Sequence, residues 1–393
     1  MAFFSGITGR LFLINLITAV AYAFILPVMS LYLINGLHAS PIFITFYSLG
    51  FALSGLFFSQ LMGGLVDKGY SAKRLFICSV LALFLAGIAF TFCRNPVEAL
   101  IVGIFLMGPG NASIPLLLSM IRKHSMTAGL NSTRLNTQMR SGVSIVWIAG
   151  PALAFVFADR FGFVFNFMIS AVLSGMTILA SLLLLPKNKK TVNECTVKSS
   201  GIEKTRIPGM IWLLGAIMML ANLSNSLYLT IMPLYLVEEL HLPASFPGFL
   251  LGATAIMEIP VMLAAAHLAE KTGKEPLILV GFLFAALYYS LLQLAGSMIE
   301  LIVLQLLNGL FFGIFVGLGI SVIQDALPER SGFASAFHSN AMRTGMMAGN
   351  GIAGLMAQLA GFRITLLVPL FSVSCAALLM LYINRSHAIK IVQ

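Results

Sequence analysis

Apolar runs long enough to cross a lipid bilayer recur along the whole chain and limit its fold more than any other feature. A membrane-spanning helix needs about 20 mostly apolar residues, because each adds about 1.5 Å and the hydrocarbon core is about 30 Å thick. The runs lack the alternation of a barrel strand. We therefore predict an all-α membrane protein with twelve spans, at residues 11–34, 42–66, 75–92, 97–121, 136–158, 163–185, 208–236, 245–268, 277–294, 300–323, 333–361 and 365–383.

The composition is that of a chain surrounded mainly by lipid. Of 393 residues, 59% are hydrophobic and 9% are charged, whereas soluble domains carry about 25% charged residues. This composition excludes a soluble enzyme, a nucleic-acid-binding domain and a secreted disulfide-rich domain. The four cysteines fit no metal-binding spacing, and no ATP-binding motif is found. We expect no enzymatic activity, no cofactor and no metal site.

The basic residues predict how the chain is oriented in the membrane. With both termini in the cytoplasm, 18 of the 23 lysines and arginines fall in cytoplasmic segments and three in external loops. Such an excess follows the positive-inside rule and accounts for the net charge of +10. The longest polar stretch separates spans six and seven. We therefore predict a six-helix bundle at 1–186, a cytoplasmic linker at 187–207 and a second six-helix bundle at 208–393.

Three sequence matches at one offset, 203 residues, indicate that the two halves are repeats. Met29 to Leu33 recurs as Met232 to Leu236, and the Leu-His pair that follows also recurs. Leu65-Val66-Asp67-Lys68 recurs as Leu268-Ala269-Glu270-Lys271, and Met139-Arg140-Ser141-Gly142 recurs as Met342-Arg343-Thr344-Gly345. Six spans per half give both halves the same orientation. Parallel six-span halves are the architecture of the major facilitator superfamily.

Particular motifs strengthen this resemblance. The segment Gly63-x-Leu65-Val66-Asp67-Lys68 resembles the superfamily signature Gly-x-Leu-Ala-Asp-Arg, although Tyr70 stands where a second glycine is expected. Other segments are similar to the bacterial sugar efflux transporter family: Leu227-Tyr228, Met232-Pro233-Leu234, Glu258-Ile259-Pro260, Gln324-Asp325, and Arg140 with Trp147 and Gly150-Pro151. This resemblance implies sugars or sugar-like compounds as substrates and a monomeric transporter in the bacterial inner membrane.

Glu258 is the only acidic side chain near the predicted midplane of a span. A charge inside the membrane costs about 3 kcal/mol or more, so ionisable residues there usually have a function. We interpret Glu258 as a carboxylate that couples transport to protons or binds substrate. The alternative is a structural carboxyl group that is hydrogen-bonded to a neighbouring helix.

Arg140 and Arg343 lie near the predicted cytoplasmic edge of spans five and eleven. The repeat suggests that each meets an acidic loop residue of the other half, Arg343 with Asp67 and Arg140 with Glu270. These pairs would close the cytoplasmic gate in the outward-open state. Contact with substrate and snorkelling to the interface are the alternatives.

Uncharged polar residues within the spans are candidates for lining a substrate cavity. Amides bind sugar hydroxyls, and an aromatic ring can lie beneath the apolar face of a sugar. The alternative for each residue is a hydrogen bond between helices. The predicted cavity residues are Asn225, Tyr228, Asn222, Trp147, Tyr22, Asn111, Gln138, Asn308 and Asn340, and the wider set adds Asn15, Ser113, Gln305 and Asn350.

These observations lead to a functional hypothesis with two competitors. The chain is predicted to be a secondary active exporter of sugars or sugar-like molecules, driven by protons and working by alternating access. A drug exporter or an exporter of a metal-chelating metabolite would have the same fold. A transport-inactive membrane sensor or assembly factor is the competitor from another class.

Overall fold

The structure, a computed structural model, describes residues 6–128, 132–185, 209–327 and 331–392, and nearly all of them are helical. The first half contains α1 (Ile7–Ala23), α2 (Met29–Leu31), α3 (Ile42–Asp67), α4 (Ala72–Phe92), α5 (Pro96–Val102), α6 (Gly108–Asn111), α7 (Ser113–Thr127) and α8 (Ser132–Leu184). The second half contains α9 (Gly209–Leu234), α10 (Phe246–Thr272), α11 (Lys274–Leu292), α12 (Met298–Ala326), α13 (Ser331–Thr365) and α14 (Leu367–Val392). Three π-helical segments continue or join these helices: Tyr32–Gly36, Gly103–Met107 and Tyr235–Glu239.

Helices occupy most of each predicted interval, with a break between α1 and α2 in the first, and the all-α fold is confirmed for the described residues. Helix α8 covers two intervals because Gly162, with φ 83°, turns the chain between them, and Gly361, with φ 82°, turns α13 in the same way. Within the described ranges, nine helical stretches are long and apolar enough to cross a membrane. The number of crossings, the orientation and the domain division stay predictions, and the linker at 187–207 lies outside the described residues.

Helix starts at the ends of the bundle are fixed by side-chain caps. The Asn95 side chain accepts the Glu98 N–H at 3.0 Å, with Pro96 in the first helical turn. Ser297 accepts the Glu300 N–H at 3.3 Å, and the Glu300 carboxylate accepts the Ser297 N–H at 3.2 Å. Such caps satisfy N–H groups that have no partner inside the helix. These caps therefore set where α5 and α12 begin, whereas α1, α3, α7, α10 and α11 begin without a side-chain cap.

The backbone reproduces the sequence repeat in its unusual conformations. The π-helical segments Tyr32–Gly36 and Tyr235–Glu239 differ by 203 residues and close with equivalent bonds, Leu37 N–H to Tyr32 O and Leu240 N–H to Tyr235 O. His38 and His241, one residue later, both have φ 52°, and they alone among the described non-glycine residues have positive φ. Two matched departures from regular helix show that the halves are structural repeats.

The two halves touch mainly along two long helix pairs at one end of the bundle, and α2 also contacts α9. On the α3–α13 seam, the Thr45 hydroxyl donates to the Gly351 carbonyl at 2.8 Å and accepts the Leu355 N–H at 3.1 Å. Gly354 allows this approach, because a Cβ there would press on the Pro41 carbonyl and lie 2.7 Å from the Thr45 nitrogen. We call this end of the molecule the closed end.

The α8–α10 seam repeats this arrangement with different residues. A Cβ on Gly248 would lie 2.9 Å from the Ala152 carbonyl oxygen and 2.7 Å from the Phe155 Cβ. Gly248 is the repeat equivalent of Thr45, and Ala152 is that of Leu355, because each pair differs by 203. At the opposite end, which we call the open end, a Cβ on Gly63 or Gly64 of α3 would meet nothing within 4 Å. Both seams between the halves that the described helices form thus lie at the closed end.

The Gly354 contact yields a test of the closed end. Replacing Gly354 with Val adds a branched side chain between α13 and α3, so we expect the seam to open. Spin labels on Arg94→Cys and Gly296→Cys, in loops of opposite halves, would report a longer distance by double electron–electron resonance. Gly209→Val, where a Cβ meets nothing within 4 Å, is the control for helix propensity. An unchanged distance in Gly354→Val would contradict the assignment of this seam as the closure.

Candidate functional site

Glu258 lies on the side of α10 that faces the space between the halves. Met257 and Val261 contact glycines of α12, and Gly248 and Gly252 contact Ala152 of α8. At 3.6 residues per turn, Glu258 falls between these two contact stripes. The side chains Phe249, Ile256 and Leu263 are exposed on the opposite side of the helix. We call the space between the halves the central cavity.

The backbone around Glu258 is held by close packing against α12. A Cβ on Gly309 would lie 2.6 Å from the Met257 Cβ, and one on Gly313 would lie 2.9 Å from the Glu258 carbonyl oxygen. The spacing of small residues at four-residue intervals allows two helix backbones to approach closely in a membrane. The Glu258 side chain is half-buried. Among the described residues, its carboxylate has no hydrogen bond or ion pair.

Trp147 and Arg343 face the central cavity by the same argument. On α8, Gly142 and Gly150 contact α1 while Ala152 contacts α10, and Trp147 lies between these stripes with 42% of its surface exposed. On α13, Arg343 is exposed and lies between glycines that contact α9 and glycines that contact α3. Residue 140 shares the helix face of Trp147, two turns earlier, and its side chain lies outside the described part of the chain.

The repeated sequence Met-Arg-Ser/Thr-Gly marks a helix crossing in each half. The Asn15 amide of α1 donates to the Met139 carbonyl at 3.0 Å, and the Asn222 amide of α9 donates to the Met342 carbonyl at 2.5 Å. Three residues after each carbonyl, a glycine allows the helices to approach: Gly142 contacts α1 and Gly345 contacts α9. The crossings fix the rotation of α8 and α13 and therefore the face on which each arginine lies.

The predicted gate pairs are only partly within the described structure. The side chains of Asp67 and Arg140 lie outside it. Glu270 is 78% exposed, and one of its carboxylate oxygens lies 3.9 Å from the His267 ring on the same helix. Both described members, Glu270 and Arg343, lie toward the open end, where the described helices of the two halves are apart. The pairing stays a prediction.

The predicted cavity residues occupy several environments. Asn225 and Asn111 are half-buried, with Asn111 packed against Gly55 of α3, and Asn340 is exposed. Tyr22 is buried and its hydroxyl lies 3.3 Å from the Ser113 hydroxyl. The Asn350 side chain accepts hydrogen bonds from Ser226 and Thr230. The Gln138 side chain lies outside the described residues.

Tyr228, Gln305 and Asn308 belong to a buried polar group inside the second half, together with Thr254 and Tyr288. Tyr288 donates from its hydroxyl to Tyr228 at 2.7 Å, and the Gln305 amide donates to Tyr288 at 3.0 Å. Thr254 and Asn308 donate to the Gln305 side-chain oxygen at 2.7 and 3.2 Å. We call these five residues the polar cluster. Thr254 and Tyr288 were not among the predicted residues, because their contacts with Gln305 depend on how α10, α11 and α12 pack together.

The described residues offer no cluster that could hold a metal ion, and the Cys93 thiol is not activated. Within the described ranges, no group of three or more His, Cys, Asp or Glu side chains could hold a metal ion. Burial raises the pKa of the Cys93 thiol, which lies between α4 and α5, so that this cysteine stays protonated. The chemistry of the cavity is therefore that of a carboxylate, an arginine, amides and an aromatic ring.

Comparisons with known proteins agree with this architecture. The family described as Major Facilitator Superfamily matches residues 11–215 and 214–391. Sugar efflux transporter B of Salmonella typhimurium is 32% identical over 90% of each chain, and sugar efflux transporter A of Dickeya chrysanthemi is 30% identical over 95% of each. The crystal structure of the nucleoside transporter NupG has a TM-score of 0.74 at 15% identity, with 95% of this chain and 97% of that chain covered.

A second solved structure shares the fold. A bacterial homologue of the iron transporter ferroportin, crystallised in an inward-facing state, has a TM-score of 0.74 at 16% identity, with 95% of this chain and 97% of that chain covered. Because both structural likenesses have low sequence identity, they establish the fold alone.

The contact between α10 and α12 leads to a stability prediction. Gly313→Ala would place a methyl group 2.8 Å from the Val261 Cγ1 and 2.9 Å from the Glu258 carbonyl oxygen. Overpacking of this kind costs about 1–3 kcal/mol, so we expect a lower Tm in detergent. Gly252→Ala is the matched control, because its Cβ would lie an ordinary 3.7 Å from the Ala152 Cβ. Equal Tm values for both variants would show that α10 does not depend on this contact.

Proposed function

Because the chain belongs to the major facilitator superfamily and is a membrane transporter rather than an enzyme, we propose that it exports sugars or sugar-like molecules in exchange for protons. The carboxylate of Glu258 carries this proposal, since it faces the central cavity and has no partner among the described residues. The similar proteins named sugar efflux transporters support the substrate class. By the positive-inside rule the open end faces the cytoplasm. The protein works in the bacterial inner membrane, as a monomer.

The transport cycle follows from which end is closed. With the α3–α13 and α8–α10 seams shut at the closed end, substrate enters the central cavity from the open end. Asn225 binds its hydroxyls, Trp147 binds its apolar face, and Asn111 and Asn340 supply further amides. Rocking of one half against the other then opens the closed end, where substrate leaves and a proton binds Glu258. The proton is released after the return step.

Two ion pairs are proposed to close the open end in the outward-open state, Asp67 with Arg343 and Glu270 with Arg140. Ion pairs at a water-exposed entrance are worth about 1 kcal/mol or less, which suits contacts that break in every cycle. Their formation would compete with the seams at the closed end.

Helix register favours Glu258 as a second candidate partner for Arg140. Ala152 lies opposite Gly248 and Gly252, and α8 and α10 run in opposite directions. Distances along each helix axis can be counted from this contact at 1.5 Å per residue. Residue 140 of α8 lies about 18 Å from it, residue 258 of α10 about 9–15 Å and residue 270 about 27–33 Å. Residue 140 is therefore closer in depth to residue 258 than to residue 270. Pairing between Arg140 and Glu258 would link proton binding directly to closure of the entrance.

The central test is transport in proteoliposomes with an imposed pH gradient. We expect labelled sugar to move with the gradient, and Glu258→Gln to abolish gradient-driven transport while keeping sugar exchange, because the amide cannot carry the proton. Glu238→Gln, an exposed carboxylate at the closed end, is the matched control.

Other substrates and outcomes are separated by the same assay. Movement of a cationic drug or a metal chelator instead of sugar would leave the coupling and change the substrate class. A transport rate that changes neither with the pH gradient nor in Glu258→Gln would overturn the proton-coupled mechanism. The absence of any transported compound together with an unchanging conformation would favour the membrane sensor.

Disulfide formation between engineered cysteines tests the gate pairs. In a cysteine-free background that carries Gly354→Val, we expect Asp67→Cys to cross-link with Arg343→Cys and Glu270→Cys with Arg140→Cys, because opening the closed end closes the other. The yields should exceed those of the same pairs with Gly354 intact. Cross-linking of Arg140→Cys to Glu258→Cys in place of Glu270→Cys would assign the arginine to the coupling carboxylate.

A further inference from the structure

We propose that Gln305 is a positioning residue that links Asn225 on α9, a proposed substrate contact, to Glu258 on α10, the proposed coupling carboxylate. This inference rests on the proposed function of Glu258. It starts from the polar cluster, in which Gln305 uses both ends of its amide. The nitrogen donates to Tyr288 and, at 3.5 Å, to Tyr228, while the oxygen accepts from Thr254 and Asn308. One side chain on α12 thus joins α9, α10 and α11.

The members of the polar cluster lie one turn from the residues that transport is proposed to use. On α9, Tyr228 follows Asn225 by three residues, and on α10, Thr254 precedes Glu258 by four. Residues at these spacings are neighbours on one helix face. A movement of Tyr228 on substrate binding would change its contacts with Tyr288 and Gln305, and Gln305 would transmit it through Thr254 to the turn that carries Glu258.

The cluster is too well enclosed to bind substrate itself in this conformation. Tyr228, Tyr288 and Gln305 are each at most 1% exposed, and Asn308 is 4% exposed. Buried amides and hydroxyls without partners are costly in a membrane, so the cluster has few arrangements in which all members are satisfied. When one member of the cluster moves, its hydrogen-bond partners must therefore move with it or be exchanged, because every polar group needs a partner.

The repeat shows that packing alone does not require polar residues here. The offset of 203 pairs Tyr228 and Thr254 with Ile25 and Phe51, and the offset of 202 between the caps Asn95 and Ser297 pairs the other three cluster residues with apolar positions too: Ala86, Gly103 and Leu106. The equivalent of Glu258 is Gly55. The half with the intramembrane carboxylate has the polar cluster, and the half without the carboxylate fills the same positions with hydrocarbon. This correspondence assigns the cluster to the coupling carboxylate and not to the fold.

Two variants remove the link, and a third is their control. Thr254→Val removes one hydroxyl at nearly constant volume, and Gln305→Leu removes the amide. Thr230→Val is the matched control, because it removes a hydroxyl that α9 shares with Asn350 of α13, outside the polar cluster. Each variant is measured in the full-length protein in proteoliposomes for gradient-driven sugar transport, for sugar exchange without a gradient, and for the pH midpoint of driven transport.

We expect Thr254→Val and Gln305→Leu to lower gradient-driven transport at least tenfold and to shift its pH midpoint, while exchange falls less than twofold. Thr230→Val should leave the ratio of the two rates and the midpoint unchanged. A proportional loss of driven transport and exchange, with an unchanged midpoint, would show a purely structural role and overturn the inference. If Gln305→Leu fails to fold, Thr254→Val decides the question by itself.

Glu258→Gln in the same series separates this inference from the proposed function. If Glu258→Gln retains gradient-driven transport, the proposed coupling residue is wrong and the role of Gln305 is overturned with it. If Glu258→Gln uncouples transport and the two cluster variants do not, only the role of Gln305 is overturned.

Discussion

Hydrocarbon offers no hydrogen-bond partner, and this constraint governs almost every feature of the molecule. Backbone groups in the membrane must be satisfied within helices, so the chain folds into long helices that turn at Gly162 and Gly361. Polar side chains within the helices need partners for the same reason, and Asn15, Asn222 and Gln305 find them on other helices. Glu258 has no such partner among the described residues, which is why it stands out as a functional group.

Close approach of helices is the second consequence, because lipid tails give helices no hydrophobic reason to associate. Glycines at Gly309 and Gly313 bring α12 against the backbone that carries Glu258, and Gly354 brings the two halves together. The first kind of contact lies inside a half. The second lies between the halves, and in the proposed transport cycle it breaks when the opposite end closes. One type of residue thus serves both permanent and reversible contacts.

The sequence predicted the fold well and the site incompletely. Run length located the helices, and the predicted repeat at an offset of 203 residues is matched by two π-helical segments and by two histidines with φ 52°. Helix periodicity could place Glu258 but could not show that Tyr228 faces into its own half, since that depends on how α9, α11 and α12 pack. Asn222 was predicted to line the cavity, and its amide instead donates to the Met342 carbonyl. The hydrogen-bond partner of an amide depends on how the packed helices are rotated about their axes, and the pattern of residues in the sequence does not specify that rotation.

The two amides that hold Met139 and Met342 have a consequence for how the duplicated halves diverged. The acceptor carbonyls are repeat equivalents, but the donors are not: Asn15 corresponds to Met218, and Asn222 corresponds to Ala19. The donor has therefore moved by one helical turn in one half while the bond it makes has stayed. Inheritance here has preserved a contact rather than a residue. A residue-by-residue alignment of the halves would score both asparagines as unrelated changes, and would overlook the feature they share.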